Sequence, residues 1–352
     1  MEQIFYVGSY SKKGGYFPRI SGEGLTKCAL NVKTGELKKK ESYQEVPNAT
    51  YLTKYGSEIL LVASDEYYNP GNVLSVALQK DTLVPLSSQS THGAATCHLS
   101  VNDVVDMVFV VSYLDSRLSV HDMKEGKLSP AKYVYQYQGH GPNKERQEQS
   151  HAHCAQVSSD GKWLYVCDLG SDKIWIHDIE NLTGEFTDVI GITVPSGYGP
   201  RHLVFGEKFT HVYVICELNA HVLTYNRNEE TGMLTLIDDQ ATLPENYDGI
   251  PSAAAIRMHP SKNTLYISNR IHNSIAVFSI NRFTGTLTFE TRIDTEGNEP
   301  RDFDFDPSGE WLVCANQDSD TIVSIKLDAN TGLPTSGVKS VLECGTPVCV
   351  LF

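Results

Sequence analysis

This sequence predicts an all-β fold, a seven-bladed propeller with four antiparallel strands per blade, and three observations lead there. A segment that opens on a short apolar run recurs at a spacing of roughly 50 residues, the period range of propellers and solenoids. Each copy reads as four short strands separated by Gly, Asp and Asn turn chemistry, without convincing helical periodicity. Strand-like runs at the two chain ends then supply a seventh copy.

The copies begin at 48 (NATYLTKYGSEILLVAS), 95 (ATCHLSVNDVVDMVFVVSY), 150 (SHAHCAQVSSDGKWLYVCDLG), 199 (GPRHLVFGEKFTHVYVICELN), 251 (PSAAAIRMHPSKNTLYISNR) and 299 (EPRDFDFDPSGEWLVCANQ). Within a copy, the first strand ends near a turn such as SSDGK or DPSGE, and the second is a run like LYV. The third alternates, as in IAVFSI, and the fourth follows a TGxL signal: ETGMLTL, FTGTLTF, NTGLPT and the variant LTGEFTD. Four antiparallel strands per repeat make a propeller blade. The C-terminal GTPVCVLF reads as an innermost strand, and the N-terminal IFYVGSY, LTKCALNV and GELKKKESYQ as the three outside it. One blade stitched from both ends closes the ring and removes open sheet edges. Residues 1–352 are read as one domain, and the longest irregular insertion is YQGHGPNKERQEQS.

Composition narrows the function classes. Against 29 basic residues stand 43 acidic ones, a formal net charge of −14. Such a surface repels nucleic acid and anionic membranes. No apolar run approaches the ~18 residues of a membrane span, and the start MEQIFYVGSY lacks the pattern of a secretory signal. Eight cysteines form no C-x-x-C pair and mostly sit in apolar runs. They read as buried free thiols, which points to the reducing cytoplasm. The expected oligomeric state is a monomer or a weak homo-oligomer.

In an antiparallel blade, the start of strand one and the end of strand two lie on the same face, beside the central channel. Superimposing the copies places His153, Arg201 and Arg301 at one equivalent position, the first residue of strand one, with Cys97, Ala254 and Val348 in other blades. At the end of strand two, Glu217, Arg270 and Gln317 are equivalent, with Tyr10 and Tyr113 elsewhere. Three arginines aimed at one place in an acidic protein suggest an anionic ligand. Taken singly, each has a plain alternative. An arginine can pair with an acid of the next blade, and Glu217 can serve as partner to Arg201 or Arg270. Asp168, Asn269 and Asn316 read as turn caps. His98 and His202 fall one step later and are expected to point off the channel line.

His151 and His153 would project the same way if the chain is already extended there. With Asp168 or Glu217 they could ligate zinc. Nothing else has metal-site spacing, and no nucleophile elbow, Walker loop or dinucleotide fingerprint is present. The expectation is no metal and no cofactor.

Over nearly its whole length the chain resembles the seven-bladed-propeller lactonases, which include propeller-type 6-phosphogluconolactonases and carboxy-muconate lactonising enzymes. The resemblance rests on YVGSY, RQEQSHAHCAQVSSDGKWLYVCDLGSDKI, GPRHLVF, ICELNAHV, LYISNRIHNSIAVF and PRDFDFDPSGEWLVCANQ. The chain departs from the usual family pattern at VVSYLDS and GEKFTH. The resemblance implies an active site at the channel mouth using His153, Arg201, Glu217 and Arg270, the four that the superposition selects. It implies a lactonase acting on a sugar lactone, 6-phosphogluconolactone first. His153 would act as general base near neutral pH, Arg201 and Arg270 as anion clamps, and Glu217 as an arginine partner or proton shuttle. Arg301, His151, Gln317, Tyr10 and Tyr113 would contribute to substrate binding, His151 chiefly by supporting its loop. The alternatives are a cycloisomerase using the same groups, a metal-dependent propeller lactonase, and a non-catalytic binding propeller.

Overall fold

The computed structural model describes residues 1–79, 82–182, 189–206 and 210–352. Its strands form seven four-stranded antiparallel sheets. Blade one starts with Ala49–Tyr55, and blades two to six start with Thr96–Asn102, Ala152–Val157, Pro200–Phe205, Ala253–Met258 and Pro300–Phe305. Blade seven is stitched as expected: Pro347–Leu351 innermost, then Glu2–Ser9, Leu25–Asn31 and Leu37–Tyr43. Each innermost strand touches those of the two neighbouring blades, which closes the ring. The variant turn at 183–188 and the centre of the GEKFTH turn, 207–209, lie outside the described residues.

The burial pattern follows from this stacking. Inner strands lie between neighbouring sheets, so they read as continuous apolar runs: Val108, Phe109, Val110 and Val111 are all fully buried. The outermost strands alternate, as in Pro334–Glu343. The TGxL signal has a structural reason. Gly232, Gly285 and Gly332 close turns whose carbonyls accept the hydroxyls of Tyr165, Tyr213 and Tyr266 from the preceding blade. The Trp311 indole donates likewise to the Val32 carbonyl beside the Thr34–Gly35 turn of blade seven. Each of these four described turns is thus a latch between blades.

One feature of strand one was not legible in the repeats. In every blade the pairing of strands one and two skips a position near its start. The skipped residues are Thr50, Cys97, His153, Arg201, Ala254 with Ala255, Arg301 and Val348. The equivalent site is therefore a β-bulge one residue inside the strand rather than its first residue. A bulge leaves one residue outside the ladder and re-aims its side chain, here into the channel. A left-handed residue two positions earlier turns the chain into several of these strands: Asn48, Ala95, Gly199, Glu299 and Thr346. Gly199 is the one glycine, and a Cβ there would meet the Leu218 Cγ at 2.7 Å.

The bulge also corrects the expectation for His98 and His202. Their rings lie 5.2 Å apart, and the Tyr51 ring lies 4.1 Å from His98 and 6.0 Å from His202. Side chains from blades one, two and four meet this way only near the axis. Both histidines thus plug the channel one layer below the bulge residues.

Five of the buried histidines, His121, His153, His177, His202 and His259, are pushed below the ordinary imidazole value, with burial the leading cause for each. For His177 the value is about 3. The unfolded chain protonates these groups below about pH 6.5 while the native state does not, so stability falls as the pH drops through that range. His177 alone is expected to cost about 2 kcal/mol at pH 5. Asp65, pushed up to about 7 by burial, works in the opposite direction by about as much as one histidine. The urea midpoint is therefore expected to decline between pH 7 and pH 5. An unchanged or rising midpoint would contradict these buried neutral imidazoles.

Candidate active site

Three of the bulge residues, Cys97, His153 and Arg301, and residues just past strand two help enclose a cavity of about 270 Å³ at the channel mouth. Its wall has a polar side, with His153, Arg146, Glu217, Arg270 and Arg301, and a largely aromatic side that includes Tyr10, Tyr16, Phe17, Tyr113 and Leu114. Three arginines against one carboxylate leave a local surplus of positive charge in an otherwise acidic chain. Enclosed surplus charge of one sign concentrates the opposite ion.

Glu217 organises the polar side. Its Oε1 accepts from Arg146 Nη2 at 2.5 Å, and its Oε2 lies 3.0 Å from both Arg201 Nε and Arg270 Nη2. Burial raises the carboxyl's pKa, but Arg270, Arg146 and Arg201 outweigh it and hold the group well below the usual carboxylate range. The carboxylate is thus the shared ion-pair partner of three guanidinium groups. Arg201 is correspondingly consumed. It is 2% exposed, donates to Glu217 and to the Ala254 carbonyl at 2.8 Å, and contacts His202 Nε2 at 3.2 Å. It lies behind Glu217 and not among the residues lining the cavity. Arg270 differs: it lines the cavity, and its Nη2 and Nε make ion pairs with Glu217 at 3.0 Å and Glu299 at 3.9 Å without hydrogen-bond alignment.

His153 is 7% exposed, and its Nδ1 also lacks a partner. Burial, then Arg201, push the imidazole well below its ordinary value, so it is neutral at pH 7. A buried ring beside guanidinium groups resists gaining a proton.

The remaining predicted residues divide into two groups. Tyr10, Tyr113 and Arg301 line the cavity. Gln317 does not; it accepts from Arg301 Nη1 at 2.9 Å and fixes that side chain. His151 does not either. It precedes strand one, so the condition for pointing with His153 is not met. Its ring stacks on Tyr113 at 4.3 Å, and its nitrogens sit 3.0 Å from the Tyr113 carbonyl and from Glu148. Asp168 is taken by Ser150, Ser171, the His151 amide and the Trp175 indole. Among the described residues no group of three metal-ligating side chains comes together.

Sequence reasoning missed Arg146, Tyr16 and Phe17. All three come from loops outside the repeat, so no superposition could align them. The only signal was the unusual length of the insertion carrying Arg146 and the aromatic pair in GGYFP. Phe17 lies under the Arg301 guanidinium at 5.7 Å, and Tyr16 donates to the Tyr67 carbonyl at 2.6 Å.

Comparison with known proteins agrees with this architecture. Residues 4–352 match the family model described as lactonase, 7-bladed beta-propeller. The chain is 30% identical to a 6-phosphogluconolactonase of Bacillus subtilis, covering 99% of this chain and 98% of that one. It is 29% identical to a 6-phosphogluconolactonase of Formosa agariphila, covering 93% of both. A crystal structure from Lactobacillus plantarum superposes with a TM-score of 0.89 at 28% identity, covering 100% of this chain and 99% of that one. With its fold, its channel-mouth cavity and a match spanning almost every residue, the chain belongs to the lactonase family of seven-bladed β-propellers.

Proposed function

We propose that this lactonase hydrolyses an anionic sugar lactone, 6-phosphogluconolactone to 6-phosphogluconate, in the cavity at the channel mouth. The observation that carries the reading is a neutral buried imidazole, His153, facing a cavity lined by three arginines, Arg146, Arg270 and Arg301. In this reading His153 takes a proton from water as the water attacks the lactone carbonyl. Arg270 donates to the oxyanion that forms, and Arg301 and Arg146 hold the phosphate. Bound anion offsets the guanidinium charge that depresses His153, so the base strengthens when substrate arrives. Arg201 acts from behind by fixing Glu217, which in turn aims Arg146 and Arg270. Names of relatives support the phosphorylated substrate. No described helix is long and apolar enough to cross a membrane, and all eight cysteines are free. We place the protein in the reducing cytoplasm, with a small lactone and no nucleic acid as its partner.

Arg146→Ala and Arg270→Ala test the anion assignment. Loss of a charge-assisted pair is worth roughly 1.5–3 kcal/mol, about ten- to a hundredfold. Each change is expected to lower kcat/KM on 6-phosphogluconolactone by that factor, and Arg146→Ala much less on uncharged gluconolactone. Equal losses on both lactones for Arg146→Ala would remove it from phosphate recognition.

A further inference from the structure

Asp65 occupies, in blade one, the register position that Glu217 holds in blade four: each follows the strand-two residue paired with the opening of strand one. Glu217 has three arginines around it, whereas Asp65 forms no ion pair among the described residues. It is fully buried. Its Oδ1 accepts the Tyr67 amide at 2.8 Å, and its Oδ2 lies 3.4 Å from the Tyr10 hydroxyl. Tyr10 lines the cavity from blade seven. His153 lines it from blade three, and in a ring of seven these blades face each other. One side thus carries a neutral base, and the opposite side a hydroxyl backed by a carboxyl.

We propose that Tyr10 donates the proton to the departing ring oxygen of the lactone, with Asp65 as the proton reserve behind it. The inference rests on the lactonase reading. Water adds to the carbonyl carbon and its proton goes to His153. The bond from that carbon to the ring oxygen breaks, leaving a carboxylic acid and an alkoxide. The Tyr10 proton passes to the alkoxide as the Asp65 proton passes to Tyr10. His153 and the new acid then release protons to solvent, and Asp65 regains one. The sum is lactone plus water giving hydroxy-carboxylate plus one proton.

The geometry ties donation to the state of Asp65. When ionised, Asp65 draws the Tyr10 proton toward itself. When protonated, it can donate to Tyr10 Oη and leave the Tyr10 proton for the cavity. Burial, the leading cause, brings the Asp65 pKa up to about 7, so the protonated acid is available at neutral pH. The groups facing this pair are Tyr67, Tyr16, Glu66, Cys97 and, beside Tyr10, Arg301. Arg301 favours ionisation of Tyr10, and Glu66 disfavours ionisation of Asp65.

Leaving-group dependence separates proton donation from a structural role. A phenolate leaves without help, its conjugate acid sitting near ~10 as in tyrosine; a sugar alkoxide does not. Tyr10→Phe and Asp65→Asn are compared with wild type on 6-phosphogluconolactone and on dihydrocoumarin, an aryl lactone. Tyr10→Phe is expected to lower kcat about a hundredfold on the sugar lactone and less than about threefold on the aryl one. Wild-type kcat/KM on the sugar lactone is expected to fall above about pH 7, and Asp65→Asn to be slower but flat there. Equal losses on both lactones, or an alkaline limb that persists in Asp65→Asn, would overturn the proposal alone. If dihydrocoumarin is not opened, the two pH profiles decide. A wild type that opens neither lactone would instead refute the lactonase reading itself.

Discussion

His153→Ala is expected to reduce kcat by about a hundredfold or more on both phosphorylated and neutral lactones, the loss that removal of a general base produces. The base is common to every substrate, so the effect should appear in kcat rather than in the preference for charge. Its pH dependence has a definite sign. The neutral imidazole is the active form, and its pKa is depressed by burial and by Arg201. The acid limb of kcat/KM should therefore lie below pH 6.5, the ordinary imidazole value. His151→Ala should cost far less, since that ring braces Tyr113 from behind. Full turnover by His153→Ala, after subtraction of spontaneous hydrolysis, would place the base elsewhere.

Removing residues 345–352 is expected to abolish soluble, cooperatively folded protein. The segment holds Val348, Cys349, Val350 and Phe352, all buried, with Phe352 against Phe5 at 5.0 Å. At about 1.5–3 kcal/mol per large buried apolar side chain, their loss approaches a total stability of about 5–15 kcal/mol. Hydrogen bonds go as well. The Val350 and Phe352 amides donate at 3.0 Å to Asp302 and Asp304, and would leave these acids under-satisfied in the interior. A truncated chain whose thermal melt matches the full one would contradict closure through this strand.

The ring was legible because its causes are local and repeated. Turn chemistry, strand alternation and a roughly 50-residue period are properties of the string itself, and so is the stitched seventh blade. The cavity was legible only where its lining sits on the repeat. His153, Arg270, Glu217, Arg301, Tyr10 and Tyr113 were found because equivalent positions in different blades converge. The same superposition misjudged depth. It could not show that a bulge re-aims His202 toward the axis, or that Arg201 ends behind Glu217. Register irregularities depend on the pairing of two strands, and no single strand's sequence displays them. Arg146, Tyr16 and Phe17 escaped for a different reason: irregular loops have no period to align. Asp65 escaped because blade one is the most diverged copy. The charge of Glu217 illustrates a third limit. Its ionisation depends on three guanidinium groups brought from positions 146, 201 and 270, a sum that only the folded chain performs.

Initial rates of 6-phosphogluconolactone hydrolysis near pH 6.5, corrected for the spontaneous reaction, bear most directly on the central claim. The wild type, His153→Ala and Arg270→Ala are compared, with gluconolactone as the uncharged control. The account predicts clear acceleration by the wild type, preference for the phosphorylated lactone, lost turnover in His153→Ala and weakened catalysis in Arg270→Ala. A wild-type rate indistinguishable from spontaneous hydrolysis, or catalysis indifferent to both substitutions, would contradict it.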